Sequence, residues 1–175
     1  IQGQLAIAIG ASAGQSGQGN YAIAIGPQAG QSGQSELGIA IGMQAGATGQ
    51  GNYGVAIGYQ ALATQDASSG TNTYNVAVGR SAGLSVTTGI QNTLIGGLAG
   101  DALTTGSDNV AVGLNALTLE DTGSRNVAVG KSALANQNYD GEAYNIAVGY
   151  NAGNQVTTGV QNVLLGGLAG DALTT

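Results

Sequence analysis

The sequence predicts an all-β fold, a parallel β-solenoid of ten coils of 16–21 residues. Three observations predict it. An apolar stretch closes on a glycine ten times, at Gly10, Gly26, Gly42, Gly58, Gly79, Gly96, Gly113, Gly130, Gly149 and Gly166, with spacings of 16, 16, 16, 21, 17, 17, 17, 19 and 17. An alanine stands three residues after every one of these glycines, from Ala13 and Ala29 to Ala152 and Ala169. A branched aliphatic precedes each glycine, and another lies two residues further back in every coil except at Thr93. Self-similarity at a period of this length marks stacked structural repeats.

Each element follows from residue chemistry. Aliphatics at alternate positions give a period of two, and β-branched side chains favour a pleated strand. A coil therefore opens with a strand of about five residues, turns at its glycine, and continues into a second short extended piece around the alanine. One strand per coil leaves too few turn residues for hairpins, so the strands stack on their equivalents. In this reading the Ile and Val columns form the continuous core. The alanines between them, such as Ala24, Ala56, Ala111 and Ala147, point to the opposite face. Their uniform small size predicts a second close-packed contact, within the coil or with a neighbouring chain. Ten coils at the strand spacing span about 48 Å. So thin a rod has little core per residue, and a homotrimer supplies the missing burial.

Two zones form one continuous solenoid. Residues 1–64 carry the 16-residue repeat and residues 65–175 the 17-residue repeat. From Asn75 onward an asparagine precedes each strand (Asn75, Asn92, Asn109, Asn126, Asn145, Asn162), a ladder able to satisfy turn backbone groups and stack its amides. Residues 82–105 and 152–175 agree at 19 of 24 positions, an offset of 70, so four coils make a larger repeat. The spacing lengthens at 65–73 and 136–143, two exposed excursions that read most simply as tolerated insertions and are the best places for a binding loop. The chain begins at Ile1 and stops in mid-coil at Thr175, and so reads as a segment of a longer protein.

Composition removes several function classes. With no Cys there is no disulfide, thiolate metal site or thiol nucleophile, and with no His the commonest general base and metal ligand is missing. Three basic residues cannot neutralise a phosphate backbone, so nucleic acid is a poor partner. Apolar runs fall far short of a membrane span, so no membrane insertion of this segment is expected. The net charge of −6 favours solubility of an assembly. Of the carboxylates, the neighbours Glu120/Asp121 and Asp140/Glu142 read as solvated acidic loops rather than as a catalytic pair, and no enzyme, cofactor or metal site is expected. Gly49–Gly54 satisfies GxGxxG but lacks the strand-to-helix context of a phosphate site. The order Gly96-Gly-Leu-Ala-Gly-Asp101 is not that of a calcium β-roll.

Tyrosine is the only aromatic, and Tyr21, Tyr53, Tyr74 and Tyr144 occupy one column, five residues before the glycine. In the column just after the glycine, Tyr59 precedes Arg80 and Lys131 precedes Tyr150. Adjacent coils bring each pair to about 5 Å, within reach of a cation–π contact. Asp108 and Arg125 share the five-before column and can form a surface ion pair of low value. Tyr59, Arg80, Lys131 and Tyr150, with Asp66, Tyr139 and Asp140 on the excursions, are the candidate ligand contacts. Coil-to-coil ladder packing is the simpler account of the tyrosines, and sugar stacking the functional one. Thr-Thr pairs at 87/88, 104/105, 157/158 and 174/175 suggest an ice-binding face, but turn chemistry ahead of a glycine explains them more simply.

The Ala-Ile-Ala-Ile-Gly-x-x-Ala units of coils one to four resemble the head repeats of trimeric autotransporter adhesins. The Asn-Val-Ala-Val-Gly-x-x-Ala-Gly and Thr-Thr-Gly-x-x-Asn-Thr-Leu-Ile-Gly forms are similar to repeats of bacteriophage tail fibres, marine ones in particular. The early coils carry Ala or Gly where the adhesin version has Asn before the strand. The resemblance implies a left-handed parallel β-roll with three chains around one axis. It also implies a non-enzymatic, structural or adhesive segment of an extracellular fibre. A phage tail fibre involved in host attachment comes first and a bacterial trimeric surface adhesin head second. The implied partners are further copies of the chain and a host receptor or cell-surface glycan; the implied location is a virion tail fibre or a bacterial cell surface.

Overall fold

A computed structural model describes residues 2–66 and 70–175. Ten strands, one per coil, follow in chain order: β1 Ile7–Ile9, β2 Ile23–Ile25, β3 Ile39–Ile41, β4 Val55–Ile57, β5 Val76–Val78, β6 Thr93–Ile95, β7 Val110–Val112, β8 Val127–Val129, β9 Ile146–Val148 and β10 Val163–Leu165. They form one parallel sheet ordered β1 to β10, each strand in register with the next, as in Val110↔Val127, Ala111↔Ala128 and Val112↔Val129. No helix occurs among the described residues, and both expected zones lie on the same sheet. The fold is an all-β, parallel β-solenoid.

The strands are three residues long rather than about five, and the segment around the alanine is a turn rather than a second extended piece. Positive φ angles stand two and four residues after the closing glycine, as at Gln44 (59°) and Gly46 (50°), and fold the chain around Ala45. The closing glycine itself lies where L residues are strained. At Gly113 φ is 136°, and a Cβ there would sit 2.5 Å from the carbonyl oxygen of Gly130 in the next coil.

The faces are the reverse of those expected for Ile and Val. The strand alanines, including Ala24, Ala40, Ala56, Ala77, Ala111, Ala128 and Ala147, have no exposed surface, whereas the aliphatics beside them are half-buried or exposed. A coil this short encloses a narrow passage, and apart from Leu94 and Leu164 the strands put alanine into it. Its interior is filled by the strand alanine, the alanine after the turn, and a few leucines and valines such as Leu62, Val86, Leu103 and Leu117. The close contact predicted for the alanines therefore lies within the coil.

Polar ladders hold the stack. In the later coils Asn75, Asn92, Asn109 and Asn145 donate Nδ2–H to Gly89, Gly106, Gly123 and Gly159 carbonyls at 2.6–2.9 Å. Their Oδ1 atoms accept the backbone N–H of the next asparagine, as Asn75 does from Asn92 at 2.8 Å. The early coils use glutamine instead. Gln18 and Gln34 donate Nε2–H to the Ile7 and Ile23 carbonyls at 2.8 Å, and to the Oε1 of the next glutamine at 3.2 and 3.1 Å. The glutamine fills from one side the space the asparagine fills from the other, which is why Ala22, Gly38 and Gly54 precede the early strands. Each buried backbone carbonyl so engaged is satisfied without water.

Candidate functional site

Two places concentrate functional side chains. The first is the outward side of the sheet. Because the alanines face in, the Ile and Val of every strand face out as two columns along the rod. They are bordered by the column five before each glycine and by the column just after it. The four columns are apolar throughout coils one to four, from Leu5, Ile7, Ile9 and Ala11 to Tyr53, Val55, Ile57 and Tyr59. Along the ten coils, Leu5, Leu37, Met43, Ile95, Leu114 and Leu165 of these columns are all exposed.

The tyrosine columns are ordered. Tyr53 and Tyr74 stack with ring centroids 5.2 Å apart and planes 5° from parallel. Lys131 Nζ lies 5.8 Å from the centroid of Tyr150, the pairing expected from the column. Tyr59 and Arg80 are both exposed one coil apart but form no such contact. Arg125 is the hub of a surface cluster. Its Nε lies 3.7 Å from Asp108 Oδ2, its Nη1 pairs with Glu142 and donates to Tyr144 Oη at 2.7 Å, and Tyr144 Oη donates to Glu142 Oε2 at 2.6 Å. The Tyr144 hydrogen bond first, then the Glu142 charge, raise the guanidinium pKa above its already high value.

The second place is the 136–143 excursion. Asp121, Asn138, Tyr139, Asp140 and Thr158 line an open depression beside it. Asp140 Oδ1 accepts from Thr122 Oγ1 at 2.7 Å, and Asn138 donates its N–H to the Thr157 carbonyl at 2.8 Å. Beneath lies Glu120, with no exposed surface. The reading of Glu120 as part of a solvated acidic loop is therefore corrected. Its Oε1 accepts the Gly123 N–H at 2.8 Å and its Oε2 the Tyr139 N–H at 3.4 Å. Burial pushes the carboxyl above the ordinary carboxylate range and Asp121 adds to this, while hydrogen bonds from Gly123, Tyr139 and Gln137 oppose it. The signal was present in the spacing. Glu120 and Gln137 stand seven residues after their glycines, where other coils place the inward Val86, Leu103 and Val156.

Asp66 is exposed and remote in sequence from this depression, donating its N–H to the Thr87 carbonyl at 3.1 Å; residues 67–69 of that first excursion lie outside the described residues. A shallow polar groove crosses the early coils, lined by Gly17, Gly33, Gly49, Asn20, Glu36 and Asn52. Asn20 Nδ2 donates there to Glu36 Oε1 at 3.0 Å. The hydroxyls of Thr87, Thr104 and Thr157 donate to carbonyls of the following coil at 3.0–3.1 Å, which is turn chemistry.

No protein-family model, curated protein or solved structure matches this chain.

The arrangement can therefore be judged by its chemistry alone. The outward face offers apolar contact bordered by aromatic rings and cations, and the excursion offers amide, hydroxyl and carboxylate groups around one half-buried tyrosine. Among the described residues no three acidic side chains gather as a metal site.

Proposed function

We propose that the chain is a rigid segment of an extracellular fibre in which three copies pack through their outward Ile/Val columns, with a structural and adhesive role. The observation that carries this reading is the apolar face. Two Ile/Val columns over ten rungs at about 4.8 Å, widened to four columns at about 6.6 Å spacing in coils one to four, make a patch of about 900 Å². That exceeds the ~300–600 Å² patches of ordinary monomers and matches the ~800 Å² each partner buries in a stable complex. A surface of this size left in water would aggregate, and closure around an axis parallel to the rod covers it in every copy at once.

Within the fibre reading, a phage tail fibre engaged in host attachment stands first because the asparagine-bearing coils, similar to tail-fibre repeats, make up most of the chain. A bacterial adhesin head is the second reading, favoured by the four Ala-Ile-Ala-Ile-Gly-type coils at the start. The depression at Tyr139 and the ring of Tyr150, 54% exposed, suit the hydroxyls and apolar faces of a cell-surface glycan. The role needs no catalysis or cofactor. Engagement of the Thr hydroxyls within the stack argues for this reading over ice binding.

Native mass spectrometry of the 175-residue chain at micromolar concentration tests the reading. A mass of three chains is expected, and a stable monomer would overturn it. Glycan-array binding, diminished by Tyr139→Ala or Tyr150→Ala, tests the adhesive part.

A further inference from the structure

All three basic residues of the chain, Arg80, Arg125 and Lys131, fall in the two columns that border the apolar face. Corresponding positions in the first four coils are uncharged: Leu5, Tyr21, Leu37 and Tyr53 on one border, Ala11, Pro27, Met43 and Tyr59 on the other. The borders of the later coils also differ from each other. On the five-before border Arg125 pairs with Asp108 of the same column and with Glu142, which lies two residues before that column, so two carboxylates share one guanidinium and the cluster is net negative. On the after-glycine border Lys131 is exposed, and among the described residues no carboxylate reaches its ammonium. Its one neighbour of note, the Tyr150 ring, leaves its charge uncompensated.

Symmetry decides which borders meet. Copies packed face to face about an axis parallel to the rod bring the five-before border of one copy against the after-glycine border of the next, at equal height. An antiparallel pair brings like borders together with their heights inverted. Asp108, Arg125 and Tyr144 lie on the coils of β7, β8 and β9, and Lys131 follows β8 after its closing Gly130. Parallel, level packing therefore sets the lone lysine of one copy on the rung of its neighbour's Arg125, between Asp108 one rung to one side and Glu142 one rung to the other, within a cluster of net negative charge. We infer that neighbouring copies are keyed by an ion pair between Lys131 of one and the Asp108/Glu142 carboxylates of the next. This rests on the reading above that copies pack through the apolar face.

The key selects orientation and limits sliding to a single coil. The Ile and Val columns look nearly alike at every rung and would tolerate sliding, as repetitive apolar seams do. A slip of two coils sets Lys131 opposite Gln91 or Gln161, and an antiparallel pairing removes the cluster from reach. Opposed charges at an interface border act in this way, on partner choice and geometry more than on affinity.

Lys131 is the only lysine in the chain, which makes the test clean. Zero-length carbodiimide coupling is applied to an assembly mixed from ¹⁴N- and ¹⁵N-labelled chains, and the joined peptides are read by mass. Mixed-isotope peptides joining Lys131 to Asp108 or Glu142 are expected, and Lys131→Arg abolishes them while preserving the assembly mass. Lys131→Glu is expected to weaken assembly by about tenfold. An assembly that couples Lys131 only to other carboxylates, such as Asp66 or Asp171, or gives no inter-chain product, overturns the key and leaves the fibre reading standing. A monomer by native mass overturns both.

Discussion

Leu94 and Gly100 are a matched pair inside the solenoid. Leu94 stands where most strands place alanine, and a Cβ on Gly100 would lie 2.8 Å from its Cδ2. Gly83 in the preceding coil leaves the same room, at 2.7 Å from Cδ1. The neighbouring coil solves the problem the other way, with Ala111 on the strand and the buried Leu117 after the turn. Leu94→Ala is expected to cost about 2–5 kcal/mol through the cavity left behind. Gly100→Leu alone overpacks the interior and costs about 1–3 kcal/mol. The double variant copies the Ala111/Leu117 solution, so its loss should be clearly smaller than the sum, as measured in urea unfolding. Strict additivity would show that the two side chains do not share one space.

Gly113→Ala should be among the more damaging single-methyl changes in the chain. Its φ of 136° disfavours an L residue, and the new methyl would press on the Gly130 carbonyl at 2.5 Å. The expected loss is more than about 1 kcal/mol. Gly97→Ala serves as control, since its nearest neighbour would be Leu114 Cδ1 at 3.3 Å, and it should stay within about 0.5 kcal/mol. Thermal unfolding of the two variants side by side makes the comparison.

The two sides of one strand should respond differently. Ala111→Leu, on the inner side, is expected to lower stability by about 1–3 kcal/mol because the passage has no spare volume. Val112→Asn, on the outer side, should leave the unfolding midpoint of a dilute chain nearly unchanged and weaken assembly. Sedimentation velocity across a concentration series, paired with circular dichroism, separates these effects. A large loss of fold in Val112→Asn with no change in assembly would contradict the inverted faces.

The fold was legible because its signal is periodic. Closing glycines, following alanines and alternating aliphatics each recur once per coil, and the register they imply is the register of the ten strands. Which face was inner was not legible from alternation alone. Alternation fixes that Val110 and Val112 share a side opposite Ala111, and hydrophobicity then favours the larger side chains as core. The cross-section of a 16- or 17-residue coil decides otherwise, and that is a volume constraint a one-dimensional pattern does not display. The Gln18–Gln34–Gln50 ladder is hard to read for a related reason: glutamine is usually a surface residue, and only its spacing of 16 marks it as structural. At the candidate site, the Asp108–Arg125 and Lys131–Tyr150 neighbours followed from column arithmetic, because each pair is adjacent in a fixed stack.

Glu120 supplies the pH dependence. Burial raises its carboxyl above the ordinary range, so over the window between the unfolded and folded values the folded chain holds the proton more tightly than the unfolded chain does. Its contribution to stability is therefore greatest below the unfolded value, and declines as pH rises through the folded one. Glu120→Gln carries no charge into the interior and retains an oxygen to accept the Gly123 N–H. Relative to the parent, this variant should gain stability as pH rises from the ordinary glutamate value of about 4.3 until the folded carboxyl has ionised. Glu120→Leu restores the apolar column of Val86 and Leu103 but strands the Gly123 and Tyr139 N–H groups, and should be less stable than Glu120→Gln at every pH. Urea midpoints of the three proteins across this range decide the matter. A parent-to-glutamine difference that is flat with pH, or that favours the parent more as pH rises, would show that Glu120 enters the folded state without cost to its charge.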